Sequence, residues 1–180
     1  MTTTHSPSVA PRTLMGAATL ASVLLGSALF APALAATFKD TPNGFSVTPP
    51  PGWTQRSFEG TAVVYADKEQ SGFVPNMNVI VQPLPAGMTL AQYNMVSQKQ
   101  VKELITDGKI IATRDTTLGG LKAKKTFYTG NQGKFKLYFI STYTVRGGKA
   151  YLVTATTKLG MEANLKKVNA NFIRNFKFVN

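Results

Sequence analysis

Alternation of apolar and polar residues in the second half of the chain predicts four consecutive β-strands. Each segment is rich in β-branched and aromatic residues and is separated from the next by a glycine-containing turn; the segments are residues 109–117, 121–129, 134–145 and 149–157. Turns as short as Gly119-Gly120 join antiparallel neighbours. In residues 134–145 both sets of alternate positions carry apolar side chains, so we expect both faces of the sheet to be covered.

Two segments with a helical period predict the elements that cover the sheet. Thr89 is a good N-cap, Gln92 completes a capping box with it, and Asp107-Gly108 is expected to end this first helix. Its apolar positions are Leu90, Tyr93, Val101, Leu104 and Ile105. The second helix is predicted over residues 162–175, and its apolar stripe consists of Leu165, Val168, Phe172 and Phe176.

Shorter strands are predicted before the first helix, at residues 37–39, 44–47, 61–67 and 77–84. The order is therefore four strands, a helix, four strands and a helix, with hairpin-length connections inside each group of strands. This order predicts an α+β fold: an α/β/α sandwich with a central antiparallel β-sheet flanked by helices.

The stretch GFSVTPPPGW, from Gly44 to Trp53, combines a short strand with a signal that ends it. Proline cannot donate to a strand ladder, so the strand must end at the three prolines. Gly52 permits a turn that returns Trp53, the only tryptophan, toward the core. We favour a packing role for Trp53 over an exposed surface that stacks a ligand. The predicted core includes Phe45, Trp53, Tyr93 and Phe172.

Residues 1–35 have the pattern of a secretory signal peptide. Arg12 precedes an apolar run over residues 14–30, and Ala33-Leu34-Ala35 matches a signal peptidase site. A retained membrane anchor is the alternative, although the run is only marginally long enough to span a bilayer. We predict a signal peptide at 1–35 and a single domain at 36–180. The expected location is the periplasm, a thylakoid lumen or the extracellular space, and the lack of cysteine argues against a lipoprotein.

The residue inventory argues against the common kinds of active site. The chain has no cysteine, and its one histidine, His5, lies in the predicted signal peptide. A Ser-His-Asp triad, a cysteine nucleophile and a typical zinc site are therefore excluded from residues 36–180. The eight acidic residues show no recognisable catalytic spacing. We predict that the protein is not an enzyme and needs no organic cofactor.

Several of these segments, taken in order, resemble the PsbP-like superfamily, which includes PsbP and the DcrB-type exported proteins of bacteria. The similar segments are GFSVTPPPGW, VVYAD at 63–67, NMNVIVQPL at 76–84, the Thr-Leu-x-x-Tyr helix start at Thr89, and the tail Asn175-Phe176-Lys177-Phe178. The resemblance implies an α/β/α sandwich and an accessory or binding role. PsbP itself is an extrinsic subunit of photosystem II that supports calcium and chloride retention. This chain lacks the lipobox cysteine of cyanobacterial PsbP-like lipoproteins and the histidines that some members place on a partner-facing surface.

Basic residues dominate the predicted mature chain. Arg12 is the only Lys or Arg in residues 1–35, so the predicted mature chain has 19 basic and 8 acidic residues and a formal net charge of +11. Six lysines near the strand ends are predicted to form a basic face: Lys122, Lys124, Lys125, Lys134, Lys136 and Lys149. Such a face suits an acidic protein, a membrane-associated complex or an anionic envelope component. Solubility and protection of sheet edges are the alternative roles, and we expect a monomer that binds no nucleic acid.

Asp67 and Glu69 are the candidate metal ligands. They flank Lys68 after a predicted strand, and Asn76 and Asn78 follow a few residues later. Carboxylate and amide oxygens are ligands for calcium, although no EF-hand loop is present and a solvated acidic turn is the alternative. The second functional hypothesis is therefore a module that binds a small ligand or a cation, in a cleft between sheet and helices near Trp53 and Asp67.

Overall fold

The computed structural model describes residues 36–179, and these form two antiparallel sheets and two helices. The elements in chain order are β1 (Phe38–Asp40), β2 (Phe45–Val47), β3 (Thr54–Arg56), β4 (Val63–Ala66), β5 (Asn76–Pro83), α1 (Leu90–Leu104), β6 (Thr106–Leu118), β7 (Leu121–Gln132), β8 (Phe135–Arg146), β9 (Lys149–Lys158), α2 (Glu162–Asn175) and β10 (Lys177–Phe178). The large sheet has the order β3-β4-β5-β9-β8-β7-β6, and β1-β2-β10 forms a small one. The predicted fold class is confirmed.

Three details differ from the sequence prediction. The strands β3 and β10 were not predicted, because each has only two or three residues and no clear alternation. The helix α1 ends at Leu104, since the backbone is already extended at Ile105, and Asp107-Gly108 lies within β6. Leu104 is 63% exposed and does not belong to the apolar face of α1.

The helix α1 covers one face of the sheet through both apolar and polar contacts. Its capping box at Thr89 forms as predicted, and Tyr93 and Val101 are its buried side chains. The Tyr143 hydroxyl of β8 donates to Asn94 Oδ1 at 2.7 Å and lies 3.0 Å from the Thr126 hydroxyl of β7. Buried hydroxyls that are paired in this way add directional contacts where apolar packing is sparse.

The opposite face holds the largest apolar cluster and is covered by α2 and the small sheet. Phe45 of β2 stacks on Phe176 with ring centroids 5.3 Å apart, and Tyr65 of β4 meets Phe172 of α2 at 5.8 Å. The predicted cover on both faces is thereby confirmed. No helix in residues 36–179 has the length and apolar character needed to cross a membrane.

The turn between β6 and β7 is fixed by two glycines in the left-handed region. Gly119 and Gly120 have φ angles of +57° and +82°. A Cβ at Gly119 would lie 2.6 Å from a ring carbon of Phe178, whereas one at Gly120 would meet nothing within 4 Å. The first glycine therefore satisfies both a backbone and a packing requirement, and the second only a backbone requirement.

We expect Phe172→Ala to lower the free energy of unfolding by about 3–5 kcal/mol, because it removes a side chain that is only 2% exposed and leaves a cavity against Tyr65. Chemical denaturation followed by circular dichroism measures the change. The exposed Lys167 of the same helix supplies the control, and Lys167→Ala is expected to change stability by less than about 0.5 kcal/mol. Equal effects of the two substitutions would contradict the assigned packing of α2.

The two glycines of the turn give a second prediction. Gly120→Ala is expected to cost about 1–2 kcal/mol from left-handed strain alone. Gly119→Ala should cost more, because its new methyl group also displaces the Phe178 ring. Denaturation midpoints of the two variants provide the comparison, and a smaller loss at Gly119 would contradict the close approach of Phe178.

Candidate functional site

The β6–β7 hairpin sorts its charged residues onto the two faces of the large sheet. Pairing runs outward from Leu118 and Leu121, so that Asp115 faces Lys124 and Arg114 faces Lys125. Cross-strand partners share a face, and successive residues alternate between faces. The Asp115–Lys124 pair therefore lies on the face that carries α1, and the Arg114–Lys125 pair lies on the face that carries α2.

Two of the lysines on the α1 side, Lys99 and Lys124, are paired with acids, whereas Lys102 and Lys122 on the same side have no salt bridge within residues 36–179. The Lys124 ammonium lies 2.7 Å from Asp115 Oδ1, and the Lys99 ammonium lies 3.7 Å from Glu103 Oε1 within α1. Both bridges are exposed enough that each contributes no more than about 1 kcal/mol to stability. These two are the salt bridges found among residues 36–179, and they neutralise cations on this side of the molecule.

The α2 side carries cations that have no salt bridge within the described part of the chain. Five such residues, called the α2-side cations below, are Arg114, Lys125, Lys136, Lys166 and Arg174. Two of them lie over aromatic rings: the Arg114 guanidinium is 5.6 Å from the Phe127 ring centre, and the Lys166 ammonium is 5.3 Å from the Tyr138 ring centre. Like charges directly opposite on a sheet, as at Arg114–Lys125, destabilise it by about 0.2–1 kcal/mol.

A cleft of about 350 Å³ opens between the C-terminal half of α2 and the β6–β7 hairpin. We call it the basic cleft; its lining residues are Thr116, Thr117, Gly119, Gly120, Lys125, Ala170, Ile173, Arg174 and Phe176. Lys125 is half-buried there, and burial lowers the pKa of its ammonium group below the ordinary value. None of the lining residues is acidic, so Lys125 and Arg174 line the cleft without an anionic partner from residues 36–179.

A second cleft, of about 290 Å³, lies at the N-terminal end of α2. We call it the tryptophan cleft, because Trp53 and Asp67 both line it together with the first turn of the helix. The Trp53 amide donates to the Pro50 carbonyl oxygen at 3.1 Å, which closes the proline-rich turn. Phe45, Tyr93 and Phe172 are buried, whereas Trp53 is half-buried and packs on the core from the edge.

The structure separates the four oxygen donors that the sequence placed near one another. The Asp67 carboxylate accepts from the Lys68 amide at 2.8 Å and from the Gln70 side-chain amide at 3.1 Å, and Glu69 is exposed. Asn76 and Asn78 pair with Ala66 and Val64, so they point to the α1 side while Asp67 lines a cleft on the α2 side. Within residues 36–179 no three His, Cys, Asp or Glu side chains come close enough to hold a metal ion.

The six lysines of the basic face occupy four different places. Lys122 and Lys124 lie on the α1 side, and Lys125 lies in the basic cleft on the α2 side. Lys134 and Lys136 lie at the β7–β8 turn, which strand geometry places about 20 Å from Lys125. The Lys149 ammonium instead contacts the β1–β2 turn, where Asn43 Oδ1 lies at 3.1 Å.

Sequence reasoning did not select Arg114, Lys166 or Arg174 as candidate site residues. The signal for Arg114 is present in the sequence, since equal counting on both sides of the Gly119-Gly120 turn places it opposite Lys125. Lys166 and Arg174 are two helical turns apart on α2 and therefore share a face. Which strands this helical face approaches depends on tertiary packing, and no local pattern encodes that.

Several solved structures share this fold. Cyanobacterial PsbP from Synechocystis sp. PCC 6803 is 18% identical with a TM-score of 0.63, over 86% of this chain and 98% of that one. LpqN, described as involved in cell envelope biogenesis of Mycobacterium tuberculosis, is 12% identical with a TM-score of 0.60, over 76% and 83%. PA94 from Pseudomonas aeruginosa, a putative regulator of unknown function, is 11% identical with a TM-score of 0.55, over 76% and 91%.

At these identities the structural likeness establishes the fold alone. No curated protein matches the chain. The PsbP family model, however, matches residues 34–178, which is nearly all of the part that the structure describes. The match covers both sheets, both helices and the two clefts, and it agrees with the resemblance carried by the GFSVTPPPGW stretch. The chain belongs to the PsbP family.

Proposed function

We propose that this protein is an exported, non-enzymatic accessory protein of the PsbP type that docks as a monomer on an anionic partner through the α2-side cations. The partner is an acidic protein, a membrane-associated complex or an anionic component of the cell envelope. The observation that carries the proposal is the position of the two salt bridges found among residues 36–179: both lie on the α1 side, whereas the five α2-side cations have no acidic partner there.

The cluster of unpaired cations on the α2 side gives that side a positive field. Exposed charges act over about one Debye length, which is about 8–10 Å at ordinary ionic strength, so clustered cations orient an approaching anionic surface. Cations that already bridge to acids contribute little to that field. The α2 side is therefore the side that approaches an anionic partner first.

The family and its structural relatives support an extracytoplasmic role. LpqN is described as acting in cell envelope biogenesis, and cyanobacterial PsbP shares the fold over nearly its whole length. The apolar segment at residues 14–30 and the small-residue motif at 33–35 are consistent with export, and both lie outside the described residues. A role at the cell envelope places the protein among anionic lipids and polymers, which the α2-side cations attract.

A second candidate function is binding of a small ligand or of calcium in the tryptophan cleft. The observation that favours it is that Trp53 and Asp67, which are far apart in sequence, line the same cleft. An indole ring beside a carboxylate suits a ligand with an apolar body and a cationic group. Calcium would have to compete with the hydrogen bonds that Lys68 and Gln70 donate to Asp67.

The docking proposal predicts that charge reversal on the α2 side weakens attachment to native envelopes. We expect the double variant Lys136→Glu/Lys166→Glu to bind isolated envelope membranes of the producing cells at least about tenfold more weakly, because it replaces attraction by repulsion at two positions. Co-sedimentation over a range of sodium chloride concentrations measures the affinity. Proteinase treatment of the membranes distinguishes an acidic protein from a lipid or polymer partner.

The matched control is Lys102→Glu/Lys122→Glu, which changes the net charge equally on the α1 side. It is expected to retain most of the binding. If both double variants lose binding to the same extent, overall charge rather than the α2 side governs attachment, and the proposal is wrong. Binding that does not change with salt would also contradict it.

Trp53 fluorescence tests whether a ligand or calcium binds in the tryptophan cleft. Because Trp53 is the only tryptophan, a ligand or calcium ion that enters the cleft should shift its emission. Calcium binding in the cleft requires a saturable change in emission, which Asp67→Asn should abolish by removing the carboxylate charge. Glu59→Gln removes a carboxylate outside the cleft and provides the control. An unchanged spectrum would exclude calcium from this cleft.

A further inference from the structure

The basic cleft concentrates positive charge at a position where the fold alone gains nothing from it. Arg114 and Lys125 are directly opposite on the α2 face, and Arg174 lines the same cleft as Lys125. A like-charged pair in a sheet is destabilising unless something neutralises it. The next pair along the same hairpin, Asp115–Lys124, has complementary charges, so the hairpin itself does not require the repulsive arrangement.

A buried hydroxyl next to the cations is also without a partner. Thr142 of β8 is the cross-strand partner of Lys125 in the β7–β8 pair, so the two side chains share the α2 face. The Thr142 side chain is fully buried. Its hydroxyl has no hydrogen bond within residues 36–179, and the side-chain nitrogen of Asn169, which precedes the cleft residue Ala170 on α2, has none either. Buried polar atoms of this kind are usually satisfied by ordered water, and neither residue is among those that line the cleft.

The C-terminus of α2 partly opposes an anion, because a helix carries about −0.5 charge at this end. The two cations that line the cleft, Lys125 and Arg174, outweigh that partial charge. One N–H of the Arg174 guanidinium donates to Asn171 Oδ1 at 3.0 Å, which leaves its other donors free to point at a ligand. The turn at Gly119 and Gly120 adds backbone amides at the rim of the cleft, and Thr116 adds a hydroxyl.

We propose that the basic cleft binds a phosphate monoester, with Lys125 and Arg174 as its cationic ligands and the Thr116 hydroxyl as a further donor. Phosphate has the charge and the number of acceptor oxygens for several donors that converge from two strands and a helix. A volume of about 350 Å³ exceeds that of phosphate itself and leaves room for the group esterified to it. A bound anion would also favour the charged form of the half-buried Lys125.

This inference extends the proposed docking function. Only the identity of the natural phosphate source rests on that proposed function; phosphate binding in the cleft is tested independently of it. Binding in the cleft is measured with glycerol phosphate by isothermal titration calorimetry, with uncharged glycerol and sodium chloride of equal ionic strength as reference titrations. Amide NMR spectra should show shifts at Gly119 and Gly120. We expect saturable binding that Lys125→Met weakens at least about tenfold, because a charge-assisted hydrogen bond is lost.

The adjacent residue supplies a closely matched control. Lys124→Met removes the same charge from the same strand but on the opposite face, where its partner Asp115 is 85% exposed and tolerates the loss. It should change the affinity by less than about twofold, since an exposed pair contributes little. Equal weakening by Lys124→Met and Lys125→Met would overturn the site, as would an absence of binding to the wild-type protein. Arg174→Gln provides an independent variant if Lys125→Met lowers the melting temperature.

Vesicles distinguish the source of the phosphate. Co-sedimentation with phosphatidylcholine vesicles that contain phosphatidic acid, reversed by glycerol phosphate, would assign the site to a lipid head group. Binding of glycerol phosphate without co-sedimentation would assign it to a soluble or polymer-borne ester, and both results support the cleft. Because Lys136 and Lys166 do not line the cleft, their charge reversal tests docking without removing the phosphate ligands, so the two proposals fail separately.

Discussion

Strand alternation in the β6–β7 hairpin is the constraint on which the charge distribution of this protein depends. The Gly119-Gly120 turn sets a register in which Asp115 faces Lys124 and Arg114 faces Lys125. A slip of one residue would exchange the two faces of the strand and would move Lys125 away from α2. The packing of Phe178 against Gly119 locks this register to the small sheet, so the chain terminus helps to position the basic cleft.

The two faces of the sheet are covered by different mixtures of contacts. Apolar burial holds α2 and the small sheet, with Phe45, Phe172 and Phe176 at the centre. On the α1 side, two smaller apolar clusters are supplemented by hydroxyl and amide contacts such as Tyr143–Asn94. Aromatic packing of α2 against the sheet sets the backbone positions from which Lys166 and Arg174 extend.

The sequence allowed the fold to be predicted in outline, because long alternating strands and two amphipathic helices are local patterns. It also placed Trp53 and Asp67 near one cleft, since each terminates a recognisable element. The grouping of cations could not be predicted from composition, as the six candidate lysines show: alternation separates Lys124 from Lys125, and strand length separates Lys125 from Lys136. Arg174 lies near Lys125 only because α2 packs across the sheet, and that packing depends on tertiary contacts rather than on local sequence.

Long-range attraction and short-range recognition make different demands on the same side of the molecule. Exposed cations such as Lys136 and Lys166 attract a partner through long-range electrostatics. Cations at neighbouring positions can substitute for them, and salt weakens the attraction. Lys125 is half-buried, so desolvation opposes its charge in the free protein and lowers the pKa of its ammonium group. An anion that enters the cleft would offset this penalty, and the resulting gain would depend on position rather than on net charge. A surface that attracts an anionic envelope and then selects one anionic group needs both exposed and half-buried cations. Both kinds lie on the face of the sheet that α2 covers.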